Sequence, residues 1–465
     1  MGTLSSLMDL SREALMADQN ALNITANNVS NQNTPGYTRE VVNWQPTDAV
    51  TLSGTTYSIG ITSSGTSVRD RVLEQRVQQQ AQTQAQSGAL ESALQQVQNI
   101  FGLSSTSTSA SSTALGSAVD SFFNSLSTLE SNPADASTRQ AVLTAANNLT
   151  SAFNSASNQL AQVSSGLDQQ VSTTVGQINT LTTTIASLNQ QIATISPNGD
   201  AGTLEDQRQL AIAQLSQYVG LDQMTTEANG ITLTTANGAV LVSGTQSYAL
   251  STTQVAGQTD VIANGQNITS GISGGQLGGV LQTRDQNLPA YASALDNLAY
   301  GIGTAVNQQN ALGSDGNGNP GAAIFTLPAS AAGAAGSIQV ATTDPKAIAA
   351  AATGEGSSGS DNAIALADLS TATIAGGQTA SGFLASFLGQ VGNDAAGATV
   401  DSTAQQATLT QLTSQRDSLS GVSLDEEASN LTQYQRSYQA AAQVFSIVNT
   451  IMASALNLGV ETTVT

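Results

Sequence analysis

Few residues in this chain have types and spacing suited to chemistry, and all of them are oxygen donors. Asp315, Asn317 and Asn319 alternate with neighbours in the manner of the first ligands of a calcium loop. The sixth position of such a loop is glycine and here it is Pro320; the twelfth is glutamate and here it is Thr326. The spacing predicts a flexible polar turn, with a weak calcium site as the alternative. The run Asp425, Glu426, Glu427 is the other arrangement that acid–base chemistry would use. Ser423 stands three residues before Glu426, the Ser-x-x-Glu spacing of a capping box, and a helix dipole favours negative charge in its first turn. Capping accounts for the run without catalysis. Asp344 before Pro345 reads in the same way, as a helix start.

Composition narrows the choice further. The chain has 465 residues and no Cys or His. That excludes disulfides, zinc–thiolate sites and thiol nucleophiles, and it removes the commonest general base and metal ligand. Lys346 is the single lysine. Neither an enzyme nor a bound cofactor or metal is expected. Acidic residues number 32 against 11 basic ones, a net charge of −21. Such a chain is repelled by nucleic-acid phosphates and by anionic membrane surfaces. Charged residues make up only 9%, where an average domain has about 25%. Surface polarity must come from Ser, Thr, Asn and Gln, which suits contacts with other copies or sister proteins; a compositional bias of the whole lineage explains it equally well. Arg69, Arg71 and Arg76 are expected on one solvated helical face. No run approaches the ~20 apolar residues of a membrane span. Met1 to Leu10 has no basic residue and is interrupted by Asp9, so no cleaved signal peptide is expected.

The positioning elements are helical at both ends. Met8, Leu15, Leu22 and Val29 recur every seven residues, and so do Leu424, Leu431, Tyr438, Phe445 and Met452. Each set is an apolar stripe that a lone helix cannot bury, and each buried Leu or Phe contributes roughly 1.5–3 kcal/mol. The two helices must therefore pair with each other, with the body or with neighbouring molecules. A third seam, Leu160, Leu167, Leu181, Leu188 and Ile195 with Val171, Ile178, Ile185 and Ile192, predicts a coiled coil or long bundle ending at Pro197. Asn132 before Pro133 reads as the start of that helix. Residues 66–101 and 380–419 are also helix-like, and Ser104 to Ser112 reads as a loop. Residues 221–283 alternate Thr, Val, Leu and Ile between Asn229-Gly230, Asn237-Gly238 and Asn264-Gly265, pairs that favour two-residue hairpins. A helix is expected at about 285–310.

The predicted fold class is mainly α with a β-rich insertion. Residues 1–36 with 421–465 are read as a coiled-coil domain, 37–218 with 379–420 as a helical domain, and 219–378 as a β-rich domain with an embedded helix. The nesting implies that first and last segments meet in space.

Residues 26–40, ANNVSNQNTPGYTRE, resemble the signature of flagellar rod, hook and hook-associated proteins. Its residues here are Asn27, Asn28, Asn31, Asn33, Pro35, Gly36 and Tyr37. Asn tolerates left-handed backbone, Pro-Gly breaks the helix and Tyr37 can dock on a body. Residues 421–458, with Leu424-Asp425-Glu426-Glu427 and later Tyr438-Gln-Ala-Ala-Ala, are similar to the C-terminus of the hook-associated proteins of the hook–filament junction. Residues 274–310 match the middle of those proteins in spacing and residue type, except that Asn310 stands where many relatives carry His.

The resemblance implies that residues 1–36 with 421–465 are the inner assembly domain and 219–378 the outer one. It implies a structural adaptor that polymerises on the hook tip, so that the next junction protein and the filament can assemble. It implies partners too: further copies of the chain, the hook protein, a second junction protein and a flagellar export chaperone. It also implies an extracellular location at the flagellum, reached through the flagellar type III secretion channel, and terminal helices that fold on assembly. The rivals are a rod or hook component, which the Leu-Asp-Glu-Glu segment disfavours, and a secreted coiled-coil adhesin.

Overall fold

The computed structural model describes residues 2–46, 49–52, 55–58, 60–103, 113–195, 201–225, 230–356 and 358–461. The Ser104–Ser112 tract and Asn229 lie outside them.

Chain order begins with α1 (Gly2–Asn31), then strands β1 (Glu40–Pro46), β2 (Ala49–Leu52), β3 (Thr55–Ser58) and β4 (Ile61–Ser67). Helices α2 (Arg71–Ile100), α3 (Ala114–Ser131), α4 (Ala136–Ile195) and α5 (Thr203–Tyr218) follow. Next come β5 (Leu221–Thr225), β6 (Ile231–Thr235), β7 (Val240–Ser243), β8 (Gln246–Ser247), β9 (Ser251–Val255), β10 (Gln258–Ala263) and β11 (Gln266–Asn267). The chain then returns to helix with α6 (Gly275–Gln282), α7 (Leu288–Leu312), α8 (Ala334–Ser337), α9 (Asp361–Asp368), α10 (Ala380–Ser420) and α11 (Leu424–Glu461). The mainly helical class with a β-rich insertion is therefore what the chain adopts.

α4 is one uninterrupted helix, and it starts later than its sequence suggests. Asn132 closes α3, while Asp135 accepts the backbone N–H of Ser137 at 2.9 Å and so caps α4. It packs against many elements and not along one partner helix. Leu160, Leu167, Val171, Ile178, Ile185, Leu188 and Ile192 are buried, while Leu181 is half-buried and Ile195 lies exposed. α4 as a whole packs against α2, α3, α5, α6, α7, α8 and the strands β7, β8 and β10. A heptad repeat thus serves as the spine of a globular body rather than as a coiled coil. Phe122 on α3 meets Phe325 edge-on at 5.6 Å, and Phe101 meets Phe387 of α10 at 5.1 Å, extending the same core.

The Gln-rich helix α2 has no clean apolar face, and its packing explains why. Gln78 donates to Gln209, Gln80 to Gln405, and Gln86 accepts from the backbone of Gly274. Paired amides take the place of a Leu stripe. Tight helix contact is made by glycine: a Cβ on Gly279 of α6 would sit 2.3 Å from the carbonyl oxygen of Gln86.

The β region forms two antiparallel sheets, β5-β6-β7-β8 and β11-β10-β9. Asn264 and Gly265, both at positive φ, turn β10 into β11 as the dipeptide predicts. A short π-helical turn, Thr283–Asn287, carries α6 into α7 without a break. It holds a buried ion cluster: Arg284 donates to Asp168 of α4 at 2.8 Å and to Asp285 at 2.7 Å, and Asp168 accepts the Thr259 N–H of β10. Gly275 has φ +63°, and a Cβ there would lie 2.3 Å from the Val219 nitrogen. Gly275→Ala is expected to cost at least about 2 kcal/mol, because both strain and backbone collision act and neither neighbour can withdraw. A urea titration checks this.

Candidate assembly interface

The two ends of the chain meet. α1 packs along α11, and the β1–β4 pair covers a second side of α1. Asn20 donates to the Ser63 carbonyl oxygen at 2.8 Å, and the Ser63 hydroxyl donates to that of Ala17 at 2.8 Å, fixing strand to helix. These strands were not legible in the sequence, which placed 37–218 in a helical unit.

The buried side of α1 is small and polar: Ser11, Ala17, Asp18, Ala21, Ile24, Thr25 and Asn28. The large residues of the predicted stripe sit to one side of that line. Met8, Leu15, Leu22, Leu431, Phe445 and Met452 are half-buried, and Val29, Leu424 and Tyr438 are exposed. Of the α11 side chains described, only Glu427 and Val448 are fully buried. The heptad repeat is real, but a single chain does not complete it. Leu7, Leu10 and Met16 on α1, and Val444, Ile447, Ile451 and Leu456 on α11, are also exposed. One 18-residue window within 380–456 reaches a mean hydropathy of 1.2 with 6% of it buried. By length and composition that passes as a membrane span, which the sequence reading had excluded. Gln443, Ser446, Asn449 and Thr450 interrupt it, as they would in a helix that packs on protein.

The Asn-rich turn locks α1 to the body. Asn28 donates to the Glu40 carbonyl oxygen at 2.7 Å and accepts from the Tyr37 hydroxyl at 2.8 Å and the Glu40 N–H at 3.0 Å. Burial, reinforced by the charges of Glu40, Asp206 and Glu427, pushes the Tyr37 phenol up, so it stays a neutral donor. Asn31 donates to the Asn27 carbonyl oxygen at 3.0 Å, closing the helix. Gly36, at φ +80°, lies against Leu210 of α5. Asn33 and Pro35 are exposed.

Beyond the turn, the Thr38 N–H donates to Asp206 at 3.2 Å. Arg69 binds Glu205 at 2.8 Å and also binds Asp206. Arg69 is therefore not part of a solvated face, although Arg71 and Arg76 are exposed. Burial raises the carboxyl pKa of Asp206, outweighing the Arg69 charge.

Arg39 is the residue that sequence reasoning missed. Its backbone N–H donates to the Ser420 carbonyl oxygen at 3.0 Å and its carbonyl accepts from the Val68 N–H at 3.0 Å. Its guanidinium binds Glu427 at 2.7 Å and also Glu426. The run stands in the first turn of α11, where the Glu427 N–H donates to the Ser423 carbonyl oxygen at 3.0 Å, and through Glu426 and Glu427 it also docks α11 on Arg39. Its signal was present as a lone arginine directly after the Tyr37-Thr38 step. The polar turn at Asp315 is likewise committed: its Oδ1 accepts the N–H groups of Asn317 and Asn319, both at 2.8 Å. No group of three Asp, Glu, His or Cys side chains that could hold a metal occurs among the described residues.

The family model for the flagellar hook-associated protein FlgK helical domain matches residues 94–325. Models of the flagella basal body rod protein and of the C-terminal part of rod FlgEFG proteins match 8–38 and 413–458. Flagellar hook-associated protein 1 of Bacillus subtilis is 31% identical, with 97% of both chains aligned. This chain belongs to the flagellar hook-associated protein 1 family. The Escherichia coli protein of that name is 28% identical over 98% of this chain and 100% of its own length. The flagellar hook junction protein FlgK of Burkholderia pseudomallei superposes with a TM-score of 0.66 at 20% identity, over 75% of this chain and 100% of that one, and it shares the fold. As a member of that family, the chain is a structural component of the flagellar axial assembly and an adaptor between hook and filament.

Proposed function

We propose that this hook-associated protein polymerises as a short layer on the distal end of the hook and presents the surface on which the second junction protein, and then the filament, assembles. The observation that supports it is the α1–α11 pair. It is latched to the body through Asn28 and Arg39, yet it leaves half of its apolar residues in water. In this reading, residues 1–36 and 421–465 form the inner assembly domain, 37–218 with 379–420 the helical domain, and 219–378 the outer one. Met8, Leu15, Leu22, Val29, Leu424, Leu431, Tyr438, Phe445 and Met452 complete their seams against neighbouring copies. The subunit leaves the cell through the flagellar secretion channel, accompanied before export by a chaperone, and acts without catalysis.

Ile447 is 58% exposed, so Ile447→Asp disturbs little within one chain. In cells lacking the natural gene, that variant and Leu431→Asp should be incorporated at the hook at least roughly tenfold less than the unaltered chain. Circular dichroism of the purified body should not change. Cells should keep hooks, lack filaments and release filament protein. Incorporation of both variants at the unaltered level removes the proposal, and loss of the hook itself points to a rod or hook component.

A further inference from the structure

Between α1, α11 and the β1–β4 pair lies a cavity of about 420 Å³ that the intramolecular contacts leave open. Its lining includes Asp18 of α1, Trp44 and Ile61 of the strands, and Tyr434, Ser437 and Val444 of α11. Asp18 is only 4% exposed and hydrogen-bonded to Ser437, yet no described cation pairs with it. Trp44 and Tyr434 stand beside it with ring centroids 6.0 Å apart and planes tilted by 57°. A sunken carboxylate flanked by two aromatic rings is complementary to one kind of group: a cation on an apolar stem. An arginine side chain meets all of it, through charge to Asp18, through its guanidinium plane to Trp44 or Tyr434, and through methylenes to Ile61 and Val444.

The chain carries 11 basic residues, and most of those described are engaged within it. Arg436 of α11 is exposed and makes no ion pair among the described residues. It follows Tyr434 and precedes Ser437, both of which face the cavity, but at about 100° per residue it points around the flank of the helix. One copy cannot bring its own Arg436 into its own cavity. Side-by-side copies related by a rotation can, and a donor and an acceptor on different flanks make a contact that propagates around a ring or layer.

We infer that the Asp18–Trp44–Tyr434 cavity receives Arg436 of an adjacent copy and so sets the lateral register of the assembled layer. The inference rests on the assembly reading above and names the specific contact. It also answers an electrostatic difficulty. Copies of net charge −21 repel one another, and an inserted arginine places a positive charge where the acidic helices crowd together.

The test uses full-length variants in cells lacking the natural gene, with the amount at isolated hooks measured by immunoblot. Arg436→Asp is expected to lower incorporation roughly tenfold, and Asp18→Asn and Trp44→Ala several-fold. Combining Asp18→Arg with Arg436→Asp should restore most of it, because each copy then offers the reverse charge to the next. As a measurement independent of folding, a photo-reactive residue at Gln433 on the cavity rim should cross-link to the Arg436 segment of a second copy. Arg436→Asp incorporated at the unaltered level, or cross-links only to other proteins, overturns the inference. Loss with Trp44→Ala but not with Arg436→Asp overturns it too, by giving the cavity to a basic side chain of another partner. If Ile447→Asp blocks incorporation while Arg436→Asp does not, the lateral contact fails and the assembly reading stands. If neither blocks it, both fail.

Discussion

Arg284→Met is expected to destabilise the body by about 3 kcal/mol, the lower end of the range for breaking a buried ion pair. The Arg284 side chain is 1% exposed and faces Asp168 and Asp285, whose own exposures are 13% and 33%. Removing the arginine leaves two carboxylates near each other with no cation, and partial contact with water is what keeps the cost off the upper end. Asp168 also holds the Thr259 N–H of β10, so the loss should appear first where the β sheets meet α4. Amide hydrogen exchange in β9–β11 should accelerate before exchange in α3 or the middle of α4. A urea midpoint unchanged from the unaltered chain would show that the cluster is structurally neutral.

Arg39→Ala is expected to free α11 from the body while leaving the body folded. Glu427 is 2% exposed, and Arg39 is its ion-pair partner. Stranding that carboxylate costs about 3–5 kcal/mol. Glu426 lies largely in water, and its share of the clamp is within the 0–1 kcal/mol of a surface pair. Since α11 fully buries little besides Glu427 and Val448, such a loss exceeds what the remaining contacts hold. Hydrogen-exchange protection of residues 424–440 should collapse, while that of α2 to α7 persists. The pair replacement Arg39→Met with Glu427→Met should recover docking, because the penalty belongs to the stranded charge and not to the absence of a bond. Protection retained in Arg39→Ala would refute the clamp.

The parts of the fold written in periodicity were legible in the sequence. The terminal heptads, the α4 seam and the Asn264-Gly265 turn all stand where spacing placed them. Misreadings arose where burial did not follow size. On α1 the large residues Met8, Leu15 and Leu22 flank a line of Ser11, Asp18 and Thr25 that is more deeply buried. A hydrophobic scale points to the first set, since it ranks residues by size and polarity and not by what they touch in the fold. β1 and β4 were hidden because Ile61-Thr-Ser-Ser-Gly-Thr-Ser67 carries almost no apolar alternation, and the pair is held to α1 by hydroxyl and amide bonds instead. Arg39 and Asp206 were invisible for a different reason. Each is joined to residues far away in the sequence: Asp206 of α5 takes the N–H of Thr38 in the signature turn, 168 positions away, and Arg39 pairs with Glu427 of α11, 388 positions away. Asn310 is fully buried. It donates to the carbonyl oxygens of Ala322 and Ala347 and accepts from the Ala349 N–H, so a neutral amide stitches the loop after α7.

The amide pairs along α2 set how the molecule responds to its medium. Gln78–Gln209 and Gln80–Gln405 join α2 to α5 and α10 with neutral groups, which dissolved ions do not screen. The charged contacts that matter, at Arg39, Arg69 and Arg284, are withdrawn from the surface, where the ~8 Å screening length of ordinary saline has least effect. The body of each subunit should therefore keep its fold from fresh water to brine.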